Sequence, residues 1–600
     1  MEAERTNGAA GPSGAPGEIR PANPWLPRFG AGSTGLVVLA LLVGVGAGLG
    51  AVAFRYLIKW FTWIFAGHQQ LGAHPHASSP WLPEVGMLCL LVAPVLGGLI
   101  YGPIVQRFAP EARGHGVPEV MLAVARGGGR IRPQVSLVKA LASALCIGSG
   151  GSVGREGPIV QIGSALGSSL GQVARLPERR LRLLVACGAA GGIAATFNAP
   201  IAGVFFALEV ILRDFQTEAF GVVVLSSVTA AAIGRIAFGS AAFLRLPSFQ
   251  LHSGGEYLLY ALLGVLGAFV GIAFIRVLCG CEDVVDNIWS GPEWLRPAVG
   301  GVLLGGLLLA LPQMYGVGYP VLQSAVAGHY VIAFLVLLVV GKLVATSLTI
   351  AIGGSGGVFA PSLFMGAMLG SGFGQAFHTL LPGWVTAPGA YGLVGMGAVF
   401  AAAARAPITA VLIIFELTGD YAIILPLMLA VVIATGLAGA VTRDTIYTLK
   451  LLRRGIDVDA HRTAGPMQTL TVADAMRPLP GSVASELPLE ALIERLSRGR
   501  EQALPVVDPG GALLGVVSAE DLEPALADLS VAETAAGLAR PAPALRPGDT
   551  LEAAARLLSE SEEAGLPVLA ADGSSVVAWV THSDLLHAYL AHGRTGSTSS

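Results

Sequence analysis

Charge is what this chain has least of. Only 12% of its 600 residues are Asp, Glu, Lys or Arg, about half the share in soluble domains, and just four are lysine beside 32 arginines. With 53% hydrophobic residues and a mean hydropathy of +0.68, this excludes a string of ordinary soluble domains and places the bulk of the chain in a bilayer. The five cysteines (89, 146, 187, 279, 281) lie in apolar surroundings and suggest neither a disulfide framework nor a zinc site, and no metal site is expected. No P-loop, HExxH, Ser/His/Asp set or paired carboxylates occur in a plausible context, so an enzyme is not expected. The 81 glycines follow no G-x-y period, which excludes collagen.

The charge that remains is unevenly placed. Residues from 467 onward carry 18 acids and 8 bases, net −10, whereas the rest of the chain is net +7. An acidic end beside a hydrophobic body argues against nucleic-acid binding, which needs clustered Lys and Arg against phosphates. Residues 1–33 are mostly Gly, Pro, Ala and charge and read as a disordered tail. Apolar stretches recur from 36 to 440, several near the ~20 residues that span a bilayer and others too short to cross. Short apolar helices broken by Gly and Pro are tolerated at membrane depth only when their ends are buried in protein or line a polar cavity. The pattern predicts an all-α polytopic membrane body over 34–455. Lys450, Arg453 and Arg454, just past the last apolar run, suggest a cytoplasmic exit.

That body is duplicated. Residues 138–170 set on 341–373, without a gap, are identical at 13 of 33 positions, including Lys139 on Lys342, Ser152 on Ser355, Pro158 on Pro361 and five glycines from Gly150 on Gly353 to Gly167 on Gly370. Ala199-Pro200-Ile201 with Glu209 returns as Ala406-Pro407-Ile408 with Glu416. Duplicated, Gly/Pro-broken segments are the pattern of a transporter whose binding site lies between two repeats, here about 34–240 and 255–455. The tail repeats as well. Leu489-Glu490-Ala491, Leu504-Pro505-Val506-Val507 and Gly515-Val516-Val517-Ser518 with Asp521 are mirrored by Leu551-Glu552-Ala553, Leu566-Pro567-Val568-Leu569 and Trp579-Val580-Thr581 with Asp584, two small α/β modules over 467–525 and 526–595.

Within residues 133–174 the single acid is Glu156, in Gly154-Arg155-Glu156-Gly157-Pro158. Glycines let backbone approach a ligand closely, and a proline in the first turn starts a helix whose free amides and dipole attract an anion. Gly357-Val358-Phe359-Ala360-Pro361 and Gly114-His115-Gly116-Val117-Pro118 offer the same chemistry. A carboxylate among such donors mimics an anion and accepts a proton, so Glu156 is read as a gate. Lys139 and Lys342 read as anchors within the packed repeat, and Glu209 and Glu416 as structural or vestibule acids near helix ends.

These three segments, together with Ile446-Tyr447, resemble the four anion-path motifs of the CLC chloride channel and transporter family, and the tail modules resemble a tandem CBS pair. The first resemblance covers about residues 35–455. It implies an inverted-repeat fold of about 18 helices, many not fully spanning, and a homodimer with one pore per subunit. It further implies Glu156 as the gate, and a chloride or related anion contacted by Gly114, His115, Gly116, Arg155, Gly157, Val358, Phe359 and Tyr447. The CBS resemblance implies an adenine nucleotide (ATP, ADP or AMP) at Thr581 and Asp584 and at Ser518 and Asp521, although these pairs also suit helix caps. No cofactor is required for transport itself. The expected setting is a bacterial plasma membrane with the tail cytoplasmic.

Two departures shape the expectation. His115 stands where the family usually has Ser, replacing a hydroxyl ligand with an imidazole. Val210 stands where the family's exchangers commonly carry an inner glutamate after the residue matching Glu209, so passive, CBS-regulated chloride conduction is expected, with proton-coupled exchange as the alternative. A reading of another class is a non-conducting membrane nucleotide sensor, against which the duplicated broken helices speak.

Overall fold

In the computed structural model the long apolar runs become helices that begin and stop where glycine and proline dictate. The structure describes residues 33–69, 83–239, 254–383, 385, 388–457, 467, 470–479, 481–498, 503–522, 533–561, 563–570, 572–573 and 575–597. The expected N-terminal tail, Ser33 apart, lies outside them. The chain divides into two units, residues 1–456 and 457–600.

The first unit is helical. Its first half holds α1 (Ser33–Ala66), α2 (Cys89–Phe108), α3 (Val117–Ala125), α4 (Gln134–Gly148), α5 (Glu156–Val173), α6 (Glu178–Phe197), α7 (Pro200–Phe206) and α8 (Thr217–Phe238). Its second half holds α9 (Glu256–Ile288), α10 (Arg296–Ala310), α11 (Tyr319–Val326), α12 (Ile332–Ala351), α13 (Phe359–Leu380), α14 (Pro388–Ala404), α15 (Pro407–Thr418), α16 (Ile424–Val441) and α17 (Thr448–Leu452). Among the described residues seven helices are long and apolar enough to cross a membrane, and five further apolar helices of 10–17 residues are not. Two of the short ones start against other protein segments, Gln134 of α4 donating to the Phe108 carbonyl and Ile408 of α15 to Glu209, as broken helices at membrane depth require.

Two devices recur in both repeats, one inside each and one between them. The first is a helix crossing without side chains. A β-carbon on Gly163 of α5 would sit 2.1 Å from the carbonyl oxygen of Gly188 on α6, and one on Gly188 would sit 2.0 Å from that of Gly163. The second repeat copies this with Gly366 of α13 and Gly395 of α14, at 2.2 and 2.3 Å. Gly167 and Gly370 add the same contact one turn on, against Leu184 and Tyr391. Part of the glycine content therefore serves close helix approach rather than an anion. The second device is a reciprocal pair of caps. Glu209, on a π-helical turn at Ala207–Leu212, accepts from the amides of Ile408 (3.1 Å) and Thr409 (2.8 Å) and from the Thr409 hydroxyl (2.6 Å) at the start of α15. Glu416 of α15 accepts from the amides of Ile201 (3.0 Å) and Ala202 (2.7 Å) at the start of α7. Each carboxylate neutralises the orphan donors and positive dipole end of the other repeat's helix, the structural role expected of both acids.

Among the described residues the second unit contains two three-stranded sheets. In one, β2 (Val483–Ala484) pairs parallel to β3 (Ala503–Val507), which pairs antiparallel to β4 (Leu513–Ser518). In the other, β6 (Val576–Val580) lies between β1 (Arg477–Pro478) and β5 (Leu566–Leu569), antiparallel to both. Helices Leu489–Arg498 and Leu551–Ser561 fall where the helical spacing places them. The two modules exchange their leading segments. Val472 joins the core of Leu545, Leu551, Leu558, Val568 and Val580 and β1 joins its sheet, whereas Ala535 packs with Val483, Leu492, Val506 and Val517, and Arg540 pairs its backbone with Val516. Each core is thus completed by chain from the other sequence copy.

Candidate functional site

The glycine-rich segments before α3, α5 and α13 converge. Gly154 and Gly357 form a two-way backbone bridge, each amide donating to the other's carbonyl at 2.7 and 2.6 Å. Gly114 donates to the carbonyl of Gly354 at 3.1 Å, and its own carbonyl accepts from Gly356 at 3.3 Å. Side chains could not be accommodated at this crossing. A β-carbon on Gly157 would lie 2.0 Å from the His115 carbonyl oxygen, and one on Gly116, at φ +83°, 2.9 Å from that of Gly157. The three predicted helix starts therefore form one junction in which the sequence-predicted residues Gly114, His115, Gly116, Arg155, Glu156, Gly157, Val358 and Phe359 are all brought together and buried.

Two buried lysines hold the loops that shape this junction. Lys139 Nζ donates to the carbonyls of Ala112 and Gly114, both at 2.8 Å, and Lys342 Nζ donates to the carbonyl of Gly316 and the hydroxyl of Ser152, both at 2.9 Å. A buried ammonium needs such acceptors to offset lost hydration. The serines cross between repeats too: Ser143 shares a 2.8 Å bond with Ser355, which donates to Ala112, while Ser152 offers its carbonyl to Thr346 at 2.8 Å. These lysines are anchors, each spending two of its three ammonium donors on protein acceptors.

Their placement exposes a motif that sequence reading missed. Lys139 grips the loop Gly114-His115-Gly116-Val117-Pro118, and Lys342 grips Gly316-Val317-Gly318-Tyr319-Pro320, which repeats the first G-x-G-x-P with the same spacing. This fourth helix start, at α11, delivers Tyr319 to the junction. Its hydroxyl donates to Glu156 Oε1 at 2.6 Å. Arg155 Nε stands 3.9 Å from the same oxygen, its guanidinium 5.1 Å from the centre of the Tyr319 ring.

Glu156 itself is 1% exposed. Its other oxygen, Oε2, makes no hydrogen bond of ordinary geometry among the described residues and lies over Gly154, where a β-carbon would be 2.2 Å away, on the side of the Ala360 amide. Phe359, at the head of α13, is packed by Phe197, Phe206 and Phe400 with ring centroids 4.3–6.4 Å apart, an apolar wall beside the carboxylate. His115 is 2% exposed, and neither ring nitrogen has a hydrogen-bond partner among the described residues. A buried imidazole with both nitrogens unbonded is a poor structural element and a ready ligand for something polar.

Tyr447 stands at the residue before α17 and is 2% exposed. Thr445 accepts at Oγ1 from the amides of Tyr447 (3.2 Å) and Thr448 (3.0 Å), and Ile446 donates to the Ala403 carbonyl at 2.9 Å. The basic cluster after it is consumed in ion pairs, Lys450 with Glu282 and Arg453 with Asp283 on α9, and Arg454 with Glu119 on α3. These pairs tie α17, and with it Tyr447, to both halves.

In the tail, Asp521 Oδ2 accepts from the amide and hydroxyl of Ser518, both at 2.7 Å, and Asp584 Oδ2 accepts from those of Thr581 at 3.0 and 2.7 Å. Each acid also pairs with an arginine from the exchanged segment, Asp521 with Arg540 and Asp584 with Arg477. Glu563 stands near the first pair. Burial and the Asp521 charge push its carboxyl above the ordinary range.

A duplicated helical body whose broken helices aim four starts at one buried carboxylate defines a membrane anion pathway. Comparison with known proteins agrees. Residues 97–439 match the family model "Voltage gated chloride channel", and residues 472–528 and 536–591 match CBS domains. A protein of Ralstonia nicotianae, provisionally named a ClcB-like chloride channel, is 36% identical over 429 residues, covering 70% of this chain and 98% of that relative. The H(+)/Cl(-) exchange transporter ClcA of Cronobacter sakazakii is 34% identical over 441 residues, covering 72% and 92%. The crystal structure of a slow cyanobacterial Cl-/H+ antiporter superposes with a TM-score of 0.63 at 26% identity, covering 73% and 99%. The chain belongs to the voltage-gated chloride channel (CLC) family and carries a tandem CBS pair. It is an integral membrane protein of anion transport.

Proposed function

We propose that this protein exchanges chloride for protons, with Glu156 as both gate and proton carrier. One observation carries the reading: a carboxylate 1% exposed, held at one oxygen by the Tyr319 hydroxyl and facing the Ala360 amide, at the junction of helix starts that favour an anion. A group so placed competes with chloride when ionised and vacates when protonated. Relatives named exchange transporters, and a structure titled an antiporter, support exchange over the passive conduction expected from Val210. Val210 is 5% exposed and cannot carry a proton, and the neighbouring acid Glu209 is committed to capping α15. The inner half of the proton route then runs through water, which a relay accepts in place of a side chain. In liposomes holding the purified protein, an imposed chloride gradient should drive proton movement against its own gradient. Chloride flux without proton movement would return the reading to a passive channel.

The anion ligands in this reading are the amides of Val358 and Phe359, the hydroxyl of Tyr447, the Gly114–Gly116 backbone and the His115 ring, with Arg155 and Gly157 shaping the gate's surroundings. His115→Ser should change the chloride-to-nitrate flux ratio several-fold, because an N–H donor of different reach is replaced by a hydroxyl. An unchanged ratio would remove His115 from the ligand set. The subunits are homodimeric in this reading, in a bacterial plasma membrane, with the tail in the cytoplasm. The tail takes an adenine nucleotide: Thr581 with Asp584, and Ser518 with Asp521, offer acceptors for ribose hydroxyls, and the exposed Arg477 and Arg540 offer cations for phosphate. Calorimetry with ATP on the full chain should register binding that Asp584→Ala weakens at least tenfold; a full-strength signal in that variant would leave these residues as helix caps alone.

A further inference from the structure

We propose that Tyr319 is a latch on the gate, a positioning residue whose hydroxyl fixes the Glu156 carboxylate in the anion path and sets the acidity at which it leaves. The inference rests on the reading of Glu156 as the gate and adds the residue that controls it. Three features carry it. The Tyr319 hydroxyl reaches Glu156 Oε1 at 2.6 Å, a hydrogen bond to a charged acceptor and so of the strong kind. The tyrosine is itself immobilised. Gly318, at φ +89°, turns the chain into α11, Lys342 clamps the loop through the Gly316 carbonyl at 2.9 Å, and the ring stands edge-on to Phe197 with centroids 6.5 Å apart beneath the Arg155 guanidinium. Finally, the carboxylate is held unevenly. Oε1 takes both the hydroxyl and the approach of Arg155 at 3.9 Å, whereas Oε2 has no side-chain donor among the described residues and faces only backbone, on the side of the Ala360 amide.

The asymmetry assigns the two oxygens different tasks. Oε2 receives the proton, and Oε1 is the fastened end. Protonation at Oε2 removes the negative charge that makes the Tyr319 bond strong, so the same event that neutralises the carboxylate loosens the latch. The lysine that clamps the Tyr319 loop also bonds Ser152, in the glycine-rich segment that leads to Glu156. Latch and gate are thus braced by one side chain.

The test is Tyr319→Phe, which keeps the ring and its packing and removes the hydroxyl. A charge-assisted bond shifts an equilibrium by roughly tenfold, so the pH at which chloride flux reaches half its acid maximum should rise by about one unit. The other groups that act on this pair, Arg155 beside it, Arg55 and Lys59 on α1, Lys342 on α12 and Tyr447, stay in place. The measurement is chloride efflux from proteoliposomes across a pH series, for wild type, Tyr319→Phe, Glu156→Gln and the double variant. A rise in Tyr319→Phe that vanishes on the Glu156→Gln background supports the latch. A wild-type profile in Tyr319→Phe, or an equal change on both backgrounds, overturns it while leaving the gate intact. Glu156→Gln indistinguishable from wild type overturns the gate reading and the latch with it.

Discussion

Glu156→Gln should abolish proton movement and leave chloride movement standing. Glutamine keeps the size and the acceptor for Tyr319 but neither carries a negative charge nor binds and releases a proton. Proton flux should fall by roughly a hundredfold or more, the scale on which a positioned acid or base contributes to a transfer. Chloride flux should lose its dependence on pH, since the competitor for the anion's place no longer changes charge. The two readouts separate roles that one carboxylate combines. A collapsed fold would take both fluxes away, whereas a lost gate removes only one. Simultaneous recording with a chloride electrode and a pH electrode on one liposome sample makes the comparison internal. Proton movement persisting in Glu156→Gln would mean that another group carries the proton, and the uneven bonding of the two carboxylate oxygens would then have no transport role.

Much of this site was legible because charge is so scarce. A single acid in a forty-residue apolar stretch stands out without any fold, and two of only four lysines falling on each other expose the duplication. The helix starts were legible from Gly and Pro spacing, and the tail strands from valine runs between turns. What the sequence did not disclose is pairing between repeats. Glu209 reaches Thr409 and Glu416 reaches Ala202 across about two hundred residues, and nothing in local periodicity tells a cap for its own helix from a cap for another. Glycine was ambiguous for a related reason. Gly157 at the junction and Gly163 two turns on both lack a side chain because backbone passes close by, and only the structure shows that the first meets the anion-path loop and the second a packed helix. Tyr319 was missed although its G-x-G-x-P frame is visible, because a tyrosine in an apolar context signals core until its hydroxyl is seen to have a partner.

The packed glycines make the other large prediction. In an isolated helix Gly→Ala stabilises by about 1 kcal/mol, because alanine restricts the unfolded chain and favours the helix. At Gly163 the sign should reverse. The new methyl would sit 2.1 Å from the Gly188 carbonyl oxygen, a backbone atom that no rotamer change can move, so α5 and α6 must separate by roughly an ångström along their crossing. Overpacking of this kind costs about 1–3 kcal/mol, and the displaced helix is the one that begins with Glu156. Gly163→Ala should therefore melt several degrees below wild type in detergent and lose coupled transport. Gly366→Ala, at the equivalent crossing of α13 and α14, should do the same, and the two effects should add, because the sites share no partner. Gly280→Ala on α9, with nothing within 4 Å of its new methyl, is the control and should melt at or above the wild-type temperature. Equal melting of Gly163→Ala and Gly280→Ala would mean that the crossing yields freely. The duplicated glycines would then owe their place to the anion junction rather than to the helix contact that positions it.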